Sequence, residues 1–180
     1  MIPLSDNDRE TLLSVARMTL QTFVKTRRLP DIELSSSGVR QRAGVYVTLT
    51  TLGRLRGSVG ALEETQPLYR AVMEDTALAA ERDAEIPIGA HELHHVRIRI
   101  DVVTGLGLLP SPDEIEIGST GLAIRSDPAI VILPKIAANS GWRPEQFIEA
   151  ICSEAGLPAN AWRLGAPVYR FAVDSFAEED

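Results

Sequence analysis

A short stretch of the sequence, Leu55-Arg-Gly-Ser-Val-Gly60, combines the residue types of a binding loop. Arg56 offers a planar cation with fixed donors, and Ser58 offers a hydroxyl that donates or accepts a hydrogen bond. Gly57 and Gly60 have no Cβ, so a ligand could approach the main chain closely at both positions. We therefore predict that this segment binds a small anionic or carbonyl ligand, or a loop of a partner protein.

Ser58 is also a candidate nucleophile for a hydrolase or a transferase. The nucleophile elbow of α/β-hydrolases reads G-x-S-x-G, and position 56 is arginine, so the motif fails at its first glycine. A catalytic serine also needs a base, and the three histidines of the chain all lie between residues 91 and 95. Catalysis by Ser58 with one of these histidines stays open as an alternative. A third hypothesis is purely structural, with glycines for a tight strand contact and Arg56 in an internal salt bridge.

The segment His91-Glu-Leu-His-His95 matches H-E-x-x-H, the signature of zinc proteases. That chemistry needs both histidines on one face of an α-helix, with the glutamate above a metal-bound water. Pro87 and Gly89 precede the segment, and an alternating strand pattern begins at Val96, so such a helix has no room. We predict histidines in a loop that enters a strand, with no bound metal and no other cofactor.

Both helices and strands must position these residues. Hydrophobic spacing predicts helices over residues 5–25, 67–82 and from 144 to about 155. Alternation predicts strands over 44–50, 55–61, 96–103 and 168–173, and short apolar runs predict strands at 115–117, 122–124 and 129–133. The polar segment 26–42 is predicted as a surface connection, and residues 52–53 as a hairpin turn. Hairpins interrupted by about three helices indicate an α+β fold with a mostly antiparallel sheet.

Composition limits the class of protein. The chain has 180 residues, 44% hydrophobic and 24% charged, as in ordinary globular proteins. Its formal net charge is -7, and Arg97 and Arg99 share a strand face with Asp101, which predicts a solvated, self-compensating face and no nucleic-acid binding. No apolar run approaches the roughly 18 residues needed to cross a bilayer, and no signal peptide is recognised. Because a single cysteine also suits a reducing compartment, we expect a cytoplasmic protein with no membrane contact. Cys152 shares the inward face of a predicted helix with Ile148 and Ile151, which predicts a buried thiol.

The order and spacing of these motifs resemble the AMMECR1-domain family from about Val45 to the C-terminus. The residues that carry the resemblance are Leu55–Gly60 in place of the family's L-R-G-C-I-G, the helix 68–80, Asp83-Ala-Glu-Ile-Pro87 in place of D-P-R-F-P, Glu92-Leu93, Gly121-Leu122, Leu133-Pro134, Trp142 with Phe147, Ala155-Gly-Leu157, Trp162, Phe171 and Phe176-Ala-Glu178. Ser58 stands where the family usually has cysteine, so thiolate or disulfide chemistry proposed for relatives cannot occur here in the same form. Glu85 and Ile86 replace an arginine and a phenylalanine of the family pattern.

The resemblance implies an α+β fold of residues 1–180, a single domain with a mostly antiparallel sheet, about three to five helices and two closely packed subdomains. It implies that the segment Leu55–Gly60 is the functional site. Within that site we expect Asp83 or Glu92 to orient the cation of Arg56. The predicted ligand-binding residues are Arg56, Gly57, Ser58, Gly60, Asp83 and Glu92. It also implies a cytoplasmic protein that works with a Memo-like protein and a radical-SAM protein in an enzymatic system. The resemblance assigns no reaction.

Overall fold

The sheet that carries the candidate residues is antiparallel and six-stranded in a computed structural model of the chain, which describes residues 3–63, 66–82, 87–126 and 128–179. In the described residues the α-helices are α1 (Asp6–Thr26), α2 (Ser37–Arg40), α3 (Leu68–Arg82), α4 (Pro134–Ser140) and α5 (Pro144–Glu154). The strands are β1 (Val45–Thr51), β2 (Arg54–Ala61), β3 (Val96–Leu108), β4 (Gly121–Ile124), β5 (Ile130–Ile132) and β6 (Tyr169–Ala177). Their order in the sheet is β2-β1-β3-β6-β4-β5. The α+β class predicted from the sequence is confirmed.

The chain divides into two compact units, and the first comprises residues 1–102 and 174–180. Its helix α1 begins where the sequence predicts, because Ser5 caps it: the Asp8 N–H donates to the Ser5 hydroxyl and the Ser5 N–H donates to the Asp8 carboxylate, both at 3.1 Å. Strands β1 and β2 form the predicted hairpin. Both residues of its turn have positive φ, 50° at Leu52 and 76° at Gly53, as a two-residue hairpin turn requires.

Helices α1 and α3 pack against each other, and α3 also packs against β1 and β2. The apolar side chains of β1 (Val45, Val47 and Leu49) are at most 1% exposed and belong to the same core as Leu12 and Leu20 of α1. One face of this part of the sheet is therefore covered by helices. The alternating polar residues of β1 lie on the opposite face.

The second unit, residues 103–173, has its own hydrophobic core. Helix α5 packs on β4, and Phe147, Ile151 and Cys152 of α5 are fully buried beside Leu122. Cys152 is fully buried, which confirms the buried cysteine predicted from the sequence, and this burial raises the pKa of its thiol.

Three local predictions were wrong. Residues 115–117 form no strand, because the Glu116 N–H that a sheet ladder would use donates instead to the Thr120 hydroxyl at 3.0 Å, while the Thr120 N–H donates to the Glu116 carbonyl at 2.8 Å. The short helices α2 and α4 were not predicted, although Pro134 at the start of α4 and Gly141 (φ 65°) after its end are ordinary boundary signals. Strands β3 and β6 also continue to Leu108 and Ala177, beyond their predicted ends at residues 103 and 173.

No helix among the described residues has the length and apolar character needed to cross a membrane.

Candidate functional site

A β-bulge in β2 lies at the centre of the candidate segment. Antiparallel pairing with β1 places Gly57 opposite Leu49 and Leu55 opposite Thr50, so Arg56 has no partner in the register. An extra residue of this kind bends its strand and redirects the local side chains. Arg56 is therefore the bulged residue of β2.

The bulge decides which face of the sheet carries Ser58. If the register set by the turn at residues 52–53 continued without a bulge, Thr48 would pair with Gly57, and Ser58 would pair with Val47 on the helix-covered face. With the bulge, Ser58 pairs with Thr48 and is exposed, and Val59 pairs with Val47 and is buried. A shift of one residue exchanges the two faces of a strand. The hydroxyl of Ser58 reaches the polar face only because Arg56 is inserted.

The two glycines of the segment are closely approached by the protein's own chain. A Cβ on Gly57 would lie 2.0 Å from the carbonyl oxygen of Ala79 in α3. A Cβ on Gly60 would lie 2.1 Å from the Val45 carbonyl oxygen and 2.6 Å from Tyr46 Cδ1. No side chain fits at either position without displacing backbone. Both glycines thus hold β2 close to its neighbours.

The polar face beside the bulge carries a row of hydroxyl and guanidinium groups. The Ser58 and Thr48 hydroxyl oxygens are 3.0 Å apart, and Thr48 pairs with Arg99 on its other side. The guanidinium of Arg99 donates two bonds from Nε and one from Nη2 to the Asp101 carboxylate, at 2.9–3.1 Å. The Ser175 hydroxyl donates to the same carboxylate at 2.5 Å. Local compensation of charge is confirmed, but the face is not fully solvated, since Asp101 is 2% exposed.

Arg56 forms an ion pair with Glu92, which lies in the short 3-10 helix Ala90–Glu92. Arg56 Nη2 donates to Glu92 Oε1 at 3.3 Å, Nη1 donates to Oε2, and the Gly89 N–H also donates to Oε1 at 2.9 Å. The two side chains are 20% and 16% exposed. The hydrogen bond from Arg56 is the main cause that lowers the pKa of the Glu92 carboxyl, and the Gly89 N–H adds to it. Asp83, the other predicted partner of Arg56, lies outside the described residues.

The histidines do not adopt the geometry of a zinc protease. Residues 90–92 form a 3-10 helix and residues 93–95 a turn, instead of the α-helix that would align His91 with His95. The carboxylate of Glu92, which would have to act as the general base of such a site, is instead bound by Arg56. In the part of the chain that the structure describes, no group of three or more metal-binding side chains is found. The Ser58 hydroxyl contacts the Thr48 hydroxyl at 3.0 Å, and the His94 ring lies against the His95 ring, with 3.8 Å between centroids.

Thr48 was not predicted as part of the site, and neither was Arg99, which pairs with Thr48 from β3. The alternation in β1 and β3 assigns both to polar faces, but the position of Thr48 beside Ser58 depends on the register of the bulged hairpin. The sequence signal for the bulge is the glycine that follows Arg56 near the start of β2, since a glycine inside a strand often marks a bulge.

We expect Glu92→Gln to lower the free energy of unfolding by about 1–2 kcal/mol at pH 7, because it removes a charge-assisted partner of a largely buried guanidinium. The folded-state pKa of Glu92 lies below its ordinary value of 4.5. Its ionised form therefore stabilises the fold above that ordinary value, and the contribution is lost as the pH falls through the folded-state pKa. The difference between wild type and variant should shrink below pH 4.5 in urea titrations.

Glu145→Gln is the matched control for this prediction, because Glu145 is 61% exposed and 3.7 Å from its Arg163 partner. It should change the stability by less than about 0.5 kcal/mol at every pH. A constant difference between wild type and Glu92→Gln across the acid range would contradict the assigned ion pair.

Comparison with known proteins covers nearly the whole chain. The profile of the family described as AMMECR1 matches residues 13–176. A protein of Methanothermobacter thermautotrophicus is 34% identical over 193 residues, which cover 98% of this chain and 97% of that protein. A protein of Aeropyrum pernix is 32% identical, over 98% of this chain and 81% of its own. The crystal structure of the uncharacterized protein PH0010 from Pyrococcus horikoshii matches with a TM-score of 0.86 and 26% identity, over 98% of this chain and 94% of that chain.

Proposed function

Because this chain belongs to the AMMECR1 family, we propose that it binds a small anionic or carbonyl-bearing ligand, or a loop of a partner protein, beside the bulge of β2. Arg56 and Ser58 are the proposed contact residues. The observation that carries the proposal is the bulge itself, since it exposes the Ser58 hydroxyl next to that of Thr48. Bulges recur next to binding and active sites for the same geometric reason.

The two hydroxyls suit an oxygen-bearing ligand. One O–H of the Ser58 and Thr48 pair is used between them at 3.0 Å, which leaves the second O–H to donate to a carbonyl or carboxylate oxygen. Glu92 holds the guanidinium plane of Arg56, so less side-chain freedom is lost when a ligand binds. In this proposal Glu92, and Asp83 as the second predicted partner, position Arg56. Gly57 and Gly60 hold the strand that carries Ser58.

A structural role for the whole segment is the second candidate, because the space beside both glycines is filled by the chain and Arg56 is paired with Glu92. The two proposals differ in what they require of Ser58. A structural segment needs the glycines and Arg56 but has no need of an exposed hydroxyl. A binding site needs that hydroxyl. Catalysis by Ser58 would need a base as well, and the hydroxyl that contacts Ser58 belongs to Thr48.

We expect Ser58→Ala to reduce the occupancy of a co-purified ligand at least about tenfold, since one lost hydrogen bond to a charged ligand corresponds to roughly 1.5–3 kcal/mol. The measurement is native mass spectrometry of protein purified from cells, which records any bound mass. The free energy of unfolding should change by less than about 0.5 kcal/mol, because Ser58 is exposed.

Ser153→Ala is the control, because Ser153 is also exposed and donates one hydrogen bond, to the Glu149 carbonyl in α5. It should retain the full ligand mass. Wild-type protein that carries no ligand, together with a loss of stability in Arg56→Gln, would support the structural role instead.

We further propose, on family membership alone, that the protein acts in the cytoplasm with a Memo-like protein and a radical-SAM protein. Recovery of both from cells that express a tagged chain tests this part of the proposal separately from the ligand.

A further inference from the structure

A cleft of about 440 Å³ lies between α1 and the turn that leads into β3. The described residues that line it all belong to the first unit, and none belongs to the segment Leu55–Gly60. The helix contributes Arg17, Gln21 and Lys25, which recur every four residues and so share one face of α1. The turn contributes His94 and the apolar residue Leu93, and β3 contributes Arg97.

The cleft is basic in a protein that is acidic overall. Among the residues that the structure describes, its lining includes Arg17, Lys25, Arg97 and His94, and no aspartate or glutamate. The whole chain carries a net charge of -7. Positive groups concentrated in a concave surface attract anions more strongly than the same groups scattered over a surface.

Arg17 has a structural role in the cleft, because its guanidinium is already bound by other groups of the chain. Its guanidinium donates to the Leu93 carbonyl at 3.0 Å and to the Val96 carbonyl at 2.7 Å, and it is paired with the Glu178 carboxylate. These bonds join α1 to the turn that carries His94. Arg17 therefore fixes the positions of the two walls of the cleft, and Glu178 compensates the charge of Arg17 itself.

Lys25 supplies a charge that is not compensated in this way. Its side chain is exposed, and none of the carboxylates in residues 3–63, 66–82, 87–126 and 128–179 forms an ion pair with it. The sequence contains only two lysines, Lys25 and Lys135. Lys25 thus lines a cleft that Gln21 and His94 also line.

We propose that this cleft is a second binding site, for a multivalent oxyanion held by Lys25, Gln21, His94 and the guanidinium of Arg97. Lysine, glutamine, histidine and arginine all donate to phosphate and carboxylate oxygens, and two or more anionic groups on one ligand can span the two walls. Phosphate esters and polycarboxylates share this chemistry. The site is independent of the ligand proposed for Ser58, because the two sets of contact residues do not overlap.

The test is isothermal titration of the full chain with sodium pyrophosphate and, separately, with sodium citrate, at constant ionic strength. At least one probe should bind with a stoichiometry of one, and Lys25→Gln should weaken it at least about fivefold, as expected for a lost charge-assisted bond at an exposed position. Lys135→Gln removes the other exposed lysine, from α4, and should leave the affinity within about twofold. Binding of pyrophosphate alone assigns phosphoryl ligands, binding of citrate alone assigns polycarboxylates, and binding of both supports the shared oxyanion chemistry.

Backbone amide shifts recorded during the same titrations locate the bound probe. The expected perturbations lie in the second half of α1 and in residues 90–97. The proposal is overturned if neither probe binds, if Lys25→Gln binds as tightly as wild type, or if the perturbed amides lie elsewhere. Because Lys25 is exposed, circular dichroism should show an unchanged fold in the variant.

Discussion

Gly57→Ala will lower the free energy of unfolding by about 3 kcal/mol, at the upper end of what one added methyl group does in a packed interior. The new Cβ would lie 2.0 Å from the Ala79 carbonyl oxygen and 2.9 Å from its carbon, so backbone of α3 or β2 must move. A flexible side chain could rotate away from such a contact, whereas a helix backbone cannot. Urea denaturation followed by circular dichroism measures the loss.

Gly107→Ala is the matched control, because Gly107 also lies in a strand and a Cβ there would meet nothing within 4 Å. That variant should be neutral, or more stable by up to about 1 kcal/mol, since alanine restricts the unfolded chain. Equal stabilities for the two variants would show that α3 can withdraw from β2 at little cost. The glycine would then have no packing role.

Asp101→Ala will lower the free energy of unfolding by about 3 kcal/mol, because it leaves the Arg99 guanidinium without its carboxylate in a largely buried position. The side chain of Asp101 is 2% exposed, and the side chain of Arg99 is 27% exposed. The change also leaves the Ser175 hydroxyl without its acceptor. Thermal and urea denaturation should both report the loss.

Glu33→Ala is the comparison for this prediction. Glu33 also pairs with an arginine, Arg70, but the two side chains are 70% and 51% exposed. Removal of this carboxylate should cost less than about 0.5 kcal/mol. The double variant Arg99→Ala with Asp101→Ala should lose less than the sum of the single changes, since the unpaired cation is removed too. Strict additivity would contradict the buried pair.

The elements that the sequence predicted well are those with complete local signals. Helix α1 has a cap at Ser5 and apolar residues at helical spacing, and the hairpin has alternating strands around the turn at residues 52–53. The predicted strand at 115–117 failed because its apolar alternation spans too few residues to outweigh a side-chain hydrogen bond from Thr120 to the backbone. Short segments are decided by such single contacts.

The candidate site shows a sharper limit. The residue types Arg56 and Ser58 could be read from the sequence, and Glu92 was named as a partner of the arginine. The face of the sheet on which Ser58 lies could not be predicted from the sequence, because it depends on one inserted residue in the pairing of β2 with β1. The contact between Gly57 and Ala79 also joins segments 22 positions apart, and no local pattern encodes it.

The buried sulfur of Cys152 has a practical consequence for kinetics. It is the chain's only thiol, it is fully covered within the second unit, and its raised pKa keeps it in the unreactive protonated form. A disulfide reagent such as dithionitrobenzoate must wait until α5 uncovers it. The rate of colour development therefore reports the opening of the structure that covers Cys152, without an attached label. It gives the equilibrium fraction of the open form where reclosing is faster than the thiol reaction, and the rate of opening where the reaction is faster.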